Sequence, residues 1–418
     1  MKPLSEGRVI ELRGQFPALA REHQGLPLVY LDGPAGTQVP RRVIEAMSEY
    51  FSRCNANHGG QFPTSQDSDA WVDRAHDAFA DFVGAKDGRE MVFGQNMTSP
   101  TFALARALAK TWEPGDEIIV TRLDHDANVT PWVLAAQDAG VTVQYVRTRL
   151  EDCTLDMEDF RQKLTEKTRL VAVGAASNSV GTINPISEMV SAAHHFGAKV
   201  FVDAVHYAPH QRMDVKAWNC DFLACSAYKY FGPHLGILWG RRELLESLEA
   251  YKVRPAPHEL PGKWMTGTQS FESIVGGLAA LDYIAEIGKS SAEDGELSQS
   301  QAYDSAFRAI REYEMRLASQ FIGGISALSR FKLWGIQSKD RLAERMPTFA
   351  VTHESMPSIE VARYLGEKGI CVWHGHYYAL NLSTDLGREP AGMVRLGLTH
   401  YNLAAEVERT LGALAELG

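Results

Sequence analysis

The stretch Lys199-Val200-Phe201-Val202-Asp203, followed by Phe222-Leu223-Ala224-Cys225-Ser226-Ala227-Tyr228-Lys229-Tyr230-Phe231-Gly232-Pro233-His234, decides how this chain reads. Two short apolar runs end in polar residues, Asp203 and Ser226, and the second leads into a Gly-Pro turn carrying a lysine. Continuous apolar runs of this length, bounded by turn residues, read as strands buried on both faces of a parallel sheet. Similar runs recur at Met91–Phe93, Ile118–Thr121, Val143–Arg147, Leu170–Val173 and Gly236–Trp239. Between them lie helical patterns, as in Asp69–Val83, where Trp71, Ala75, Ala78, Phe79 and Phe82 share one face. The alternation predicts an α/β fold, an open and mainly parallel seven-stranded sheet with helices on both faces. Such sheets bind ligands just beyond the carboxyl ends of their strands. His125, Asn178, Asp203 and Ser226 all fall there.

A lysine on a turn after one strand, with an aspartate ending its neighbour, suits pyridoxal 5'-phosphate (PLP) chemistry. The lysine amine forms the Schiff base, so it needs a lowered pKa. The cofactor withdraws electrons only while its ring nitrogen stays protonated, and a carboxylate in hydrogen-bond range keeps the proton there. Lys229 and Asp203 are the candidates for these two tasks. Thr98 is a third, because Gly94-Gln95-Asn96-Met97-Thr98-Ser99-Pro100 precedes a helical pattern and free N–H groups at a helix start bind phosphate.

Several further motifs occur in order. Leu31-Asp32-Gly33-Pro34-Ala35-Gly36 is an N-terminal turn. Asp124-His125-Asp126-Ala127-Asn128 precedes Pro131-Trp132, and Ser177-Asn178-Ser179-Val180-Gly181 precedes Pro185-Ile186. Val202-Asp203-Ala204-Val205-His206 and Met393-Val394-Arg395-Leu396-Gly397-Leu398 complete the set. With the lysine turn, they make the chain resemble the class V aminotransferases, and within them the cysteine desulfurase-like proteins of the fold-type I PLP enzymes. The resemblance runs from about Tyr30 to about Asn402.

It implies that His125 stacks on the cofactor ring, Asn178 hydrogen-bonds the ring hydroxyl, Asp203 pairs with the ring nitrogen and Lys229 carries PLP. Lys229, His125 and Asp203 are thus the expected catalytic residues. Met97, Thr98 and Ser226 would hold the phosphate, His206 would lie near the ring oxygen, and Thr268 of Gly267-Thr268 would reach a neighbouring subunit's cofactor. Arg395 would take the substrate carboxylate, a task suited to a bidentate fork. Tyr378, His376 and His58 would line the substrate side. A homodimer with composite sites is therefore expected, acting on a small amino acid.

Three departures from the desulfurase pattern stand out. Tyr378, in Val372-Trp373-His374-Gly375-His376-Tyr377-Tyr378-Ala379, occupies the position of the cysteine that carries sulfur as a persulfide. His206 stands where glutamine is common, and Tyr228 where histidine commonly precedes the lysine. Cys371 is the nearest thiol in sequence and reads as a core residue of an apolar run. The expected reaction is therefore a carbon–sulfur lyase type of β-elimination without an enzyme persulfide, in which Tyr378, His376 or His374 protonates the leaving group. An aminotransferase or an amino-acid epimerase would use the same residues up to loss of the α-proton. A non-catalytic, partner-binding relative is the alternative from another class.

Composition narrows the field further. The 418 residues suffice for two domains, and a 45% apolar content is that of a globular protein. We place a PLP-binding large domain at 25–288 and a small α+β domain at 1–24 and 289–418, with the boundary in the charged, Ser-rich stretch 288–295. The small domain is expected to begin with a helix over 302–321, to hold short strands around 349–352 and 370–373, and to end in a helix over 403–417.

A formal net charge of −10 argues against a nucleic-acid partner. Five scattered cysteines form neither a disulfide framework nor a zinc pattern, so no metal is expected and a reducing compartment is. No run is long enough to span a bilayer, and Glu6, Arg8, Glu11 and Arg13 interrupt any leader peptide. A cytoplasmic enzyme without membrane contact is the expectation. No G-x-G-x-x-G follows a strand, which disfavours a nicotinamide dehydrogenase.

Overall fold

The computed structural model describes residues 3–291 and 296–418, so residues 292–295 of the expected boundary stretch lie outside the described residues. Seven strands form the main sheet. They are β1 (Met91–Gly94), β2 (Glu117–Thr121), β3 (Thr142–Val146), β4 (Thr168–Gly174), β5 (Lys199–Asp203), β6 (Phe222–Ser226) and β7 (Gly236–Gly240), each within two residues of its expected run. Their order across the sheet is β1-β7-β6-β5-β4-β2-β3. From β6 to β3 all neighbours are parallel, whereas β7 is antiparallel to both β6 and β1. A parallel return needs a crossover of a dozen or more residues, and the link from β6 to β7 is too short for one. That link carries Lys229. The sheet is buried on both faces: Ile118, Val120 and Phe201 pack into one apolar core, and Ile119, Val200 and Val202 into the other.

Helix α1 (Pro63–Val83) begins six residues before its apolar pattern does. Proline suits the first helical position, and the early polar residues are buried by hydrogen bonding instead of by apolarity. Ser65 donates to Asn57 O at 2.6 Å, and the Ser68 hydroxyl meets the Tyr50 hydroxyl at 2.8 Å. Helix α2 (Thr98–Ala109) follows β1 and points its N-terminus at the carboxyl edge of the sheet. Helices α3 (Phe271–Ser291) and α4 (Gln299–Ile325) pack on each other. A Ser298/Gln301 capping box starts α4 three residues ahead of the expected Ala302. The final helix, α5, runs over Ala404–Ala415.

A second sheet contains β8 (Phe331–Trp334), β9 (Thr348–His353), β10 (Trp373–Gly375) and β11 (Met393–Gly397) in the antiparallel order β8-β9-β11-β10. The run expected as one strand around 370–373 is divided. Ile370–Cys371 pairs in parallel with Val29–Tyr30, and Trp373–Gly375 pairs with β11. The first of these pairings draws the N-terminal turn against the second sheet, where Gly397 N donates to Leu31 O at 2.7 Å. Asp32 is thereby brought beside β11. Among the described residues, no helix is long and apolar enough to cross a membrane.

Candidate active site

At the carboxyl edge of the main sheet lies a cavity whose walls include Met97, His125, Asn178, Asp203, Ser226 and Lys229. It opens where β1, β2, β4, β5 and β6 end, so residues distant in sequence meet there because the strands are parallel. Thr98 and His206 also line it. The expected cofactor residues of the large sheet therefore share one space.

Lys229 sits on a single helical turn, Ala227–Lys229, directly after β6. Its Nζ donates to Ala35 O at 2.9 Å and also to Pro34 O. Thr37 N donates to Tyr228 O at 3.0 Å, and Phe231 N to the Thr37 hydroxyl at 2.8 Å. The lysine turn and the N-terminal turn are thus laced together, which fixes where the amine can point. Burial, and then the nearby Arg395 charge, lowers the Lys229 pKa to about 7, with Asp32 and Asp203 opposing. An amine that loses its proton near neutrality is suited to nucleophilic and proton-accepting work.

Asp203 ends β5, and Val205 N–H donates to its Oδ1 at 2.9 Å. Burial raises its pKa to about 6 despite that hydrogen bond and the Lys229 charge. A second buried acid, Asp124, accepts from Asn128 Nδ2 at 2.8 Å and from Gly174 N at 2.9 Å. Its pKa rises to about 7 through burial and then the charge of Asp203. Position 174 must be glycine for this approach, since a Cβ there would lie 2.9 Å from Asp124 Oδ1. Two acids with raised pKa values at one wall are a poor design for an empty cavity and a good one for a cationic ring nitrogen.

The His125 Nδ1 accepts from Ala127 N–H at 3.0 Å, so that nitrogen carries no proton. Burial, and then the charges of Lys229 and Arg395, pushes its pKa down to about 3, leaving a neutral imidazole. Asn178 donates from Nδ2 to Tyr377 O at 2.8 Å, while its buried Oδ1 has no partner among the described groups. Near the start of α2, Met97 N–H donates to the Ser226 hydroxyl at 3.0 Å. Gly236 permits this packing, because a Cβ there would come within 2.2 Å of the Asn96 backbone. His206 meets the Thr348 hydroxyl through Nε2 at 3.0 Å, and burial keeps its pKa well below the usual value.

Arg395, on β11, is buried and incompletely satisfied. Nη1 donates to Asn178 O at 3.1 Å, Nη2 lies 3.6 Å from Asp32 Oδ1, and Nε has no partner. Its guanidinium lies 4.6 Å from the centre of the Tyr377 ring. A buried cation with spare donors has the chemistry to receive a carboxylate.

The structure does not bring every expected residue to this cavity. Thr268 and His58 line a separate hollow of about 1070 Å³, and His58 Nδ1 is held by Asp69 Oδ1 at 2.5 Å. His374 is exposed on β10, while His376 Nδ1 accepts from Tyr378 N–H at 3.0 Å. Tyr378 is 66% exposed, and its ring stacks on His125 with centroids 5.2 Å apart. Cys371, expected in the core, is only partly buried because its short strand lies at an edge.

Asp124 lines the cavity, while Arg395, with Asp32 and Tyr377 beside it, is not among the lining residues; Asp32, Asp124 and Tyr377 have no role in the sequence analysis. Asp32 and Asp124 lie inside quoted motifs, which was the available signal. Tyr377 carried none beyond its neighbour. Among the described residues, no cluster of His, Cys, Asp or Glu is arranged to hold a metal ion.

The family model for class-V aminotransferases matches residues 29–410. A probable cysteine desulfurase from Synechocystis sp. is 31% identical over 419 residues, covering 96% of this chain and 94% of the relative. A cysteine desulfurase from Pectobacterium atrosepticum is 30% identical over 421 residues, with 97% of each chain covered. Among solved structures, the apo cysteine desulfurase of Thermococcus onnurineus superposes with a TM-score of 0.86 at 26% identity, covering 100% of this chain and 99% of that one. The cysteine desulfurase CsdA of Escherichia coli gives 0.82 at 25% identity, with 98% of both covered.

Proposed function

The chain belongs to the class-V aminotransferase family of PLP-dependent, fold-type I enzymes, and from that premise we propose that it catalyses β-elimination on a small sulfur-containing amino acid without an enzyme-bound persulfide. The carrying observation is that, among the described residues, no cysteine lines the Lys229 cavity. The residue at the family's sulfur-carrying position is Tyr378.

The cavity suits PLP. The partnerless Asn178 Oδ1, the buried acid Asp203 and the half-deprotonated Lys229 are the groups that a ring hydroxyl, a pyridinium nitrogen and an aldehyde would each satisfy. When bound, PLP supplies an electron sink for the charge that develops at the substrate α-carbon. In this reading Lys229 is its attachment point. Thr98, Met97 and Ser226 hold the phosphate end, with His125 against the ring and His206 near the ring oxygen.

Each remaining task falls to a residue of this chain. Arg395 takes the substrate carboxylate through its free donors, which orients the α-carbon toward Lys229. The Lys229 amine, steered by the Pro34 and Ala35 carbonyls, accepts the α-proton near neutral pH. Asp203 keeps a proton on the ring nitrogen. The β-substituent then departs into solution.

Cys225 and Cys371 are poor rivals for a nucleophile. Burial raises the Cys225 pKa to about 12, and burial followed by the Asp32 charge raises that of Cys371, so both stay thiols. Cys371→Ala should therefore lower stability by only on the order of 1 kcal/mol. Turnover per PLP-loaded molecule should be kept. The test is a product screen with cysteine, cystine, cysteine sulfinate, selenocysteine and alanine. Pyruvate, ammonia and sulfide are expected from cysteine, with the persulfide of cysteine as the leaving group from cystine and no elimination from alanine. Protein-bound persulfide together with an inactive Cys371→Ala would sink this reading, and net transfer of the amino group to a keto acid would replace it with transamination.

We also propose a homodimer, supported by the separation of Thr268 from the cavity of its own chain. Light scattering should show a dimer, and Thr268→Ala should weaken PLP retention. A stable monomer with full PLP occupancy would exclude the arrangement.

A further inference from the structure

The Gly375–Tyr378 loop holds a conformation that its residue types disfavour. Tyr377 has φ 53° and Tyr378 has φ 61°, two consecutive non-glycine residues in the left-handed region. Strain of this kind persists only where surrounding contacts overdetermine it. Here three hydrogen bonds do so: Asn178 Nδ2 to Tyr377 O at 2.8 Å, Asp126 N to Tyr378 O at 2.7 Å, and Tyr378 N to His376 Nδ1 at 3.0 Å. The outcome is that the Tyr378 ring lies over the His125 imidazole, 5.2 Å between centroids and 20° between planes. The His376 ring also meets it in an edge arrangement, 6.1 Å away at 84°.

The Tyr378 hydroxyl makes no hydrogen bond with any described group. His125 lines the cavity, whereas Tyr378, stacked on it, is not among the lining residues. Among the described residues, the one hydrogen bond to the His125 ring is at Nδ1, which anchors one edge of it. Among the described residues, Tyr378 is the one aromatic ring stacked on it.

We propose that Tyr378 is a positioning residue, whose ring and not its hydroxyl holds the His125 imidazole flat against the cofactor cavity. The inference rests on the reading that this cavity takes PLP at Lys229. It gives the residue at the family's sulfur-carrying position a different task, in which an aromatic ring supports the site from outside and transfers no proton. The strained loop then has a use, since relaxing Tyr378 to negative φ would carry its side chain away from His125.

The test uses the full-length protein with PLP and reads the cofactor dissociation constant, the absorption and circular dichroism of the bound cofactor, and kcat and KM separately. Tyr378→Phe keeps the ring and should match wild type in all of them. Tyr378→Ala should raise the PLP dissociation constant roughly two- to tenfold, the worth of one aromatic stack. It should also alter the circular dichroism of the bound cofactor and lower kcat more than it raises KM. In a His125→Ala background, Tyr378→Ala should change nothing further, because the partner ring is gone. Should Tyr378→Ala fail to fold, Tyr378→Asn tolerates the left-handed backbone and gives the same readings.

A Tyr378→Phe enzyme as impaired as Tyr378→Ala would overturn the proposal in favour of the hydroxyl. Equal effects of Tyr378→Ala with and without His125 would overturn it too, as would a Tyr378→Ala protein indistinguishable from wild type. A wild-type protein that takes up no PLP at Lys229 would overturn the functional reading and this proposal together, which separates the two failures.

Discussion

Lys229→Ala is expected to abolish covalent attachment of PLP and to lower kcat by at least about 10³-fold, the upper range for loss of a positioned proton acceptor that is also the attachment point. Borohydride reduction and peptide mapping of the wild-type protein should find the cofactor on Lys229, and label on another lysine would sink the assignment. The pH profile offers a second check. The Lys229 pKa is lowered to about 7 in the free amine, so the rate of PLP attachment to the cofactor-free protein should fall as pH drops through that value and the amine becomes protonated. For stability, the folded pKa lies below the ordinary lysine value. Its contribution is thus full above pH 10 and is lost as pH falls through about 7. The cofactor-free wild type should accordingly lose more stability between pH 9 and pH 6 than a Lys229→Met variant does, as thermal unfolding would show.

Asp203→Asn should retain PLP but lower kcat by roughly 10²- to 10³-fold, the size of effect seen when one preorganised electrostatic contact is removed. Asparagine keeps the shape and can still accept from Val205 N–H, yet it cannot hold a proton on the ring nitrogen. The same substitution makes a signed forecast for the cofactor-free protein. The folded pKa of Asp203 is raised to about 6, above the unfolded carboxylate value. Its contribution is then fully present below about pH 4 and is lost as pH rises through 6. Cofactor-free Asp203→Asn should be more stable than wild type at pH 8, by at most on the order of 2–3 kcal/mol, and indistinguishable from it near pH 4. A variant less stable at pH 8 would mean that the buried carboxylate is better paired than its surroundings indicate.

Taken residue by residue, the main sheet was the most legible part of the molecule. A strand buried on both faces must be apolar throughout, so β2 and β5 declare themselves locally. Helix α1 was only partly legible, since Ser65 and Ser68 are buried through hydrogen bonds that leave no apolar periodicity. The antiparallel β7 was not foreseen, although the shortness of its link from β6 contained the reason. Strands β8 and β11 are not legible in the sequence because they are short and become strands only by pairing with β9, which for β11 lies about 40 residues away.

The sequence by itself determined which chemical groups stand at the ends of the large sheet's strands: a lysine on a turn, an aspartate ending a strand, a histidine and an asparagine just past two others. Local pattern suffices there, because a parallel sheet collects its strand ends at one edge whatever the rest of the chain does. Only the tertiary structure decided how those groups are tuned. The descent of the Lys229 pKa comes from burial and from Arg395 on the second sheet, and Arg395 is balanced by Asp32 from the N-terminal turn. The stacking of Tyr378 on His125 likewise depends on a left-handed loop pinned by Asn178 and Asp126. Desolvation and charge–charge interaction depend on distances through space, and a linear sequence contains none of those distances.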